Sequence, residues 1–151
     1  SFSCYKFIVY DNKLPNFGRI MVVYNPDALH SGHCLQFGSS SSYAMLNFQS
    51  RIFRLVTLIH TAGNVDPAMV ALFQPDLVVS QTNARFVVRA PVMDYQLPTI
   101  MQQKLAMQSA EERQALLTAA ANMAELTELP TVLLAHQLLV DALAALPKDA
   151  A

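Results

Sequence analysis

The chain has 151 residues, 53% of them apolar and only 14% charged, against roughly a quarter charged in an average globular domain. That balance excludes a disordered chain and a collagen-like repeat. The formal net charge of −1 excludes the basic footprint of a nucleic-acid-binding domain.

From the N-terminus, Lys6-Phe7-Ile8-Val9-Tyr10 reads as a strand closed by Asp11-Asn12, and Arg19–Tyr24 as a second closed by Asn25-Pro26-Asp27. The two suit a hairpin. Three strand-and-turn units follow, each leading toward a helix. Cys34–Phe37 runs into Gly38, four serines and a helix from about Tyr43 to Phe53. Leu55–His60 runs into Thr61-Ala62-Gly63-Asn64, after which Asp66 is placed to cap a short helix with Pro67 at its first position. Asp76–Gln81 runs into Thr82-Asn83-Ala84-Arg85 and an apolar segment ending at Pro91. Strands alternating with helices at this spacing predict crossover units and a parallel sheet.

Beyond Pro98 the chain contains no glycine and is rich in Ala, Leu, Gln and Glu. The pairs Thr99/Gln102 and Ser109/Glu112 have capping-box spacing. Pro130 breaks the run. From Thr131 to Leu146 nearly every turn is apolar on more than one side, which predicts a helix buried all round, as a dimer seam or across the sheet. An apolar excess in a chain this small points the same way, toward a subunit or partner interface. The texture divides the chain into an α/β part, 1–98, and a helical extension, 99–151, that packs on it or builds a homo-oligomer.

Cys4 and Cys34 make no disulfide framework and suit a reducing compartment or a buried setting. No apolar run reaches the ~18 residues that span a bilayer, and no signal-peptide pattern opens the chain. A cytoplasmic location is the expectation, with the start at Ser1 leaving room for residues lost upstream. His30, His33 and Cys34 fit no standard zinc spacing. Four glycines in all build no phosphate cradle. No metal, cofactor or nucleic-acid partner is expected.

Ligands of open parallel sheets bind beyond the carboxyl ends of the strands. That rule collects Gly38 to Ser42, then His60, Gly63, Asn64 and Asp66, then Gln81, Asn83 and Arg85, on one edge. A serine at a strand-to-helix turn raises its Oγ where backbone N–H groups can hold an oxyanion. His60 would be its base if the second of these strands lies beside the first. The plainer reading makes the serines a helix cap, His60 a half-buried histidine, Asp66 a cap alone, and Asn83 and Arg85 loop ties.

The stretch Cys34-Leu35-Gln36-Phe37-Gly38-Ser39-Ser40-Ser41-Ser42-Tyr43 resembles the first block of the SGNH (GDSL-like) hydrolases, nearest the alginate O-acetyltransferase and DHHW-type branch. Pro75-Asp76-Leu77-Val78-Val79 is similar to that branch's stretch before its third strand. The resemblance covers about residues 34–90. It implies a three-layer, flavodoxin-like α/β fold and a serine esterase or O-acetyltransferase acting on a small-molecule or carbohydrate ester. Ser40 falls on the nucleophile and Gly38 on the family's glycine. Gly63 falls on the second-block glycine, and Asn83 on the asparagine that helps Ser41 and Gly38 hold the oxyanion; Asn64 and Arg85 would line the substrate site.

The departures are concrete. Ser39 stands where the family has Asp, and Ala84 where the branch often has Glu. No late Asp-x-x-His occurs, since Leu133 lies three before His136. The branch's alternative base motif would fall upstream of Ser1. Asp27-Ala28-Leu29-His30 has the letters, but His30 precedes a strand that Ser40 follows. The chain is therefore read as an enzyme of this type, degenerate or cut short if its base is missing. The alternative is a non-catalytic interaction or oligomerisation module on the same scaffold.

Overall fold

The computed structural model describes residues 3–83 and 89–148. After a 3₁₀ turn at Cys4–Phe7 come β1 (Ile8–Asp11), β2 (Ile20–Tyr24), β3 (His30–Gly38), α1 (Ser42–Ile52) and β4 (Phe53–His60). Then follow α2 (Pro67–Phe73), β5 (Leu77–Ser80), α3 (Leu97–Ala106), α4 (Ala110–Glu125) and α5 (Pro130–Ala144). The strands form one sheet in the order β1-β2-β4-β3-β5.

The fold is α/β, but the sheet is mixed rather than largely parallel. β3 pairs in parallel with β4 and β5, whereas β1–β2 and β2–β4 are antiparallel. The reason lies in β2, where Ile20, Met21, Val22 and Val23 are all buried. A strand apolar on both faces needs a neighbour on each side and helices or loops over each face, so the hairpin docks against β4 instead of standing apart.

The pleat sorts side chains to two clusters. Ile20, Val22, Leu35 and Phe37 join Met69 and Phe73 of α2, Leu97, Met101 and Leu105 of α3, Ala124 of α4 and Leu139 of α5. Alternate positions Met21, Val23, Cys34, Val56 and Leu58 join Cys4 and Leu46 of α1. Each large apolar side chain fully buried this way contributes roughly 1.5–3 kcal/mol against leaving it in water. The C-terminal helices thus share one core with the sheet.

Local signals set several helix ends. Asp66 Oδ1 accepts from the Ala68 N–H at 2.9 Å, capping α2, and Pro67 takes the first position. Asp66 does more than cap: its Oδ2 also accepts from Leu97 N at 2.8 Å, at the start of α3. That remote carboxylate displaces the expected Thr99 cap, and Thr99 lies inside the helix. Ser109 Oγ accepts from Glu112 N at 3.1 Å, as its spacing predicts. α5 begins at Pro130 but is not buried all round. Val132, Ala135, Leu139 and Ala142 face the core, while Leu133 is 52% and Val140 36% exposed. The apolar segment expected between Arg85 and Pro91 has its first half, 86–88, outside the described residues.

Both cysteines are free and buried. His33 Nε2 lies 2.8 Å from Thr57 Oγ1, and no group of three or more His, Cys, Asp or Glu among the described residues is placed to hold a metal. No helix among them is long and apolar enough to cross a membrane.

Candidate functional site

A cleft of about 700 Å³ opens beyond the carboxyl ends of β3, β4 and β5. Ser39, Ser40, His60, Asn64 and Asn83 line it, with Asn16, Phe17, Arg89 and Val92 among their neighbours. Its geometry follows from the pairing of β3 with β4, which sets Gly38 opposite His60.

Gly38 makes the serine turn possible. A Cβ there would lie 2.1 Å from Ser42 Oγ and 2.7 Å from Ser42 Cβ, so no side chain fits. Its carbonyl accepts from Thr61 N at 2.9 Å and Ala62 N at 2.8 Å, folding the end of β4 over the end of β3. Ser42 Oγ, fully buried, accepts from Ser39 N at 3.0 Å and donates to Gln81 Oε1 at 2.6 Å. That oxygen also accepts from Gln36 Nε2 at 2.7 Å. The first residue of α1 therefore ties the turn to the end of β5.

The remaining serines divide between scaffold and cleft. Ser39 and Ser41 hydroxyls lie 2.9 Å apart, and Ser41 Oγ donates to Asn83 Oδ1 at 2.7 Å. With its oxygen so engaged, Asn83 has its Nδ2 amide left to offer a ligand. Ser41 is the α1 N-cap residue by position but makes no side-chain capping bond. Ser40 is exposed. Its hydroxyl makes no hydrogen bond among the described residues.

His60 is only 6% exposed. Its Nδ1 sits 3.1 Å from Tyr43 Oη, and the Phe17 ring meets it edge-on at 5.4 Å. Burial, then the positive charges of Arg19 and Lys104, hold its pKa below the usual imidazole value. Both causes favour the neutral ring that a proton acceptor must present. No acidic side chain among the described residues bonds to it, and no hydrogen bond joins it to Ser40.

Not every expected residue reaches the cleft. Gly38, Ser41 and Gly63 are not among the residues that line it. Gly63 has φ +89°, and a Cβ there would meet the Gln81 carbonyl oxygen at 2.9 Å. Its own carbonyl accepts from Ser80 Oγ at 2.6 Å, joining β4's turn to β5. Asn64 lines the cleft while its Oδ1 accepts from Val92 N at 2.9 Å. Arg85 lies outside the described residues.

Sequence reasoning missed Asn16, Tyr43 and Arg89, and the N-terminal aromatic cluster, which suits core packing or a sugar-stacking surface, brings Phe17 to the cleft. Asn16 and Phe17 belong to the hairpin loop, which arrives because Ile20 at the start of β2 pairs with Ile59 near the end of β4. Asn12 shapes that loop: its Nδ2 donates to Gly18 O at 3.0 Å, and its Oδ1 accepts from Leu14 N and Ile20 N. Asn16 with φ 59° and Gly18 with φ 92° complete the turn. The signal was the Asn-Phe-Gly triplet of a turn, but nothing local says which strand the hairpin meets. Comparison with family models, with curated proteins and with solved structures finds no match.

Proposed function

We propose that the chain is a serine acyl-ester hydrolase or O-acetyltransferase of the SGNH type, with the three-layer scaffold that type implies, acting on a carbohydrate-type ester. The observation that carries the reading is the placement, on the walls of one cleft, of the buried His60 imidazole and the exposed Ser40 hydroxyl, which has no hydrogen-bond partner among the described residues.

In this reading Ser40 Oγ attacks the acyl carbon while His60 Nε2 takes the hydroxyl proton. The carbonyl π electrons move to oxygen, where the backbone N–H groups at the start of α1 and Asn83 Nδ2 stabilise the negative charge. Collapse of the tetrahedral adduct breaks the bond to the leaving alkoxide, which takes the proton from His60. Water or a second hydroxyl then removes the acyl group from Ser40 by the same steps reversed. Gly38 and Gly63 serve by letting the three strand ends approach.

A second reading, a non-catalytic interaction module, has its own observation: among the described residues no hydrogen bond joins Ser40 to His60 and no carboxylate orients the imidazole. In either reading self-association through the C-terminal helices is proposed, resting on exposed Leu126, just after α4, and on Leu133 and Val140 of α5.

Labelling with a fluorophosphonate probe, read by intact mass and peptide mapping beside hydrolysis of p-nitrophenyl acetate, separates the two. Adduct on Ser40, with label and turnover both lost in Ser40→Ala, is the expected result. A folded protein giving neither adduct nor turnover sinks the enzyme reading.

A further inference from the structure

Among the described residues His60 has no carboxylate partner of the kind that usually orients a catalytic imidazole, yet its backbone is fixed by Gly18-Arg19 and its ring meets Tyr43. Gly18 N donates to His60 O at 3.1 Å, and His60 N donates to Arg19 O at 3.0 Å. The side chain of the same Arg19 runs above Tyr43, with the guanidinium carbon 5.3 Å from the ring centroid. Tyr43 Oη in turn lies 3.1 Å from His60 Nδ1. Arg19 is itself clamped by Asp11 in a fork, Nε to Oδ1 at 3.0 Å and Nη2 to Oδ2 at 2.6 Å. Asp11 is buried at the end of β1, and β1, the loop residue just before β2, α1 and β4 each contribute to the chain of contacts.

We propose that Asp11, Arg19 and Tyr43 form a positioning chain that stands in for an adjoining carboxylate, setting the orientation and tautomer of His60. The inference rests on the reading of His60 as the base. A base needs Nε2 free of its proton, so Nδ1 must carry the hydrogen and donate it to Tyr43 Oη. The guanidinium over the phenol ring holds that ring in place, and with it the oxygen that meets Nδ1. The bidentate carboxylate prevents Arg19 from swinging away, a rigidity that lysine would not supply.

Among the described residues, few charged and titratable groups face His60. Tyr43 comes from α1, Arg19 from the loop just before β2 with Asp11 behind it, and Lys104 from α3. The two cations oppose protonation of the ring, and Asp11 offsets one of them.

The test is ¹⁵N NMR of the histidine rings across pH, run beside ester turnover in the wild type, Tyr43→Phe and Arg19→Met. The wild type is expected to carry its proton on His60 Nδ1. Tyr43→Phe should move that proton largely to Nε2 and lower kcat by about tenfold to a hundredfold, short of the loss of a whole general base. KM should stay within about twofold, because no ligand contact is removed. Arg19→Met should raise the His60 pKa. A wild type already protonated on Nε2, or a Tyr43→Phe ring whose tautomer does not change, overturns the positioning chain. If turnover is absent from the wild type while both variants shift the ring as stated, the chain stands and the ester reading fails.

Discussion

A single missing Cβ decides the shape of the serine turn. At Gly38 the strand ends, a helix begins and the neighbouring strand folds over, all within contact of Ser42. Gly38→Ala forces Ser42 aside and breaks its bonds to Ser39 and Gln81, for a cost of about 1–3 kcal/mol as overpacking. Gly32 is the control, since a Cβ there meets only the Asp76 carboxylate at 3.2 Å. Urea unfolding should show a clearly larger loss for Gly38→Ala than for Gly32→Ala; equal losses would contradict the geometry. At this scale the sequence was legible where chemistry sits at strand ends. Ser40, His60, Asn64 and Asn83 all line the cleft. It was not legible for Tyr43, which is the second residue of α1 and finds His60 only because β4 runs beside β3.

The helices illustrate how far local signals reach. Asp66 with Pro67, and Ser109 with Glu112, place helix starts within a turn of their own sequence. Thr99 fails because Asp66, 31 residues earlier, supplies the bond to Leu97. α5 shows the complementary limit: its composition is apolar on every side, but only the face bearing Val132, Ala135, Leu139 and Ala142 is covered. Leu133 and Val140 lie one heptad apart on the other side, and Leu126, between α4 and α5, is 87% exposed. If these side chains carry self-association, Leu133→Glu lowers the mass measured by sedimentation velocity while helix content stays constant. A wild type that sediments as a monomer up to about 100 μM, within reach of weak association, removes that role.

At the scale of the whole molecule, acid should loosen the fold. His33, His60 and His136 are all held below the ordinary imidazole pKa, burial being the first cause for each. His136 Nδ1 also meets Tyr10 Oη at 3.1 Å, linking α5 to β1. Below an unfolded-state pKa of about 6.5, the unfolded chain binds protons that the folded histidines refuse. Stability is therefore complete above that pH and falls as pH drops toward the lowered folded values. The urea midpoint is expected to be lower at pH 5.5 than at pH 7.5; an unchanged or higher midpoint at pH 5.5 would count against these burials.

By itself the sequence determined the α/β character, most strand and helix spans, and the polar set that gathers at three strand ends. Those features rest on periodicity, caps and turns, which act over a few residues. Only the tertiary structure decided that the hairpin joins β4 antiparallel, bringing Phe17 and Arg19 to His60, and that α3–α5 share the sheet's core. Those outcomes depend on which buried faces meet across long stretches of chain, and a strand apolar on both sides, such as β2, fits several neighbours until the others are placed.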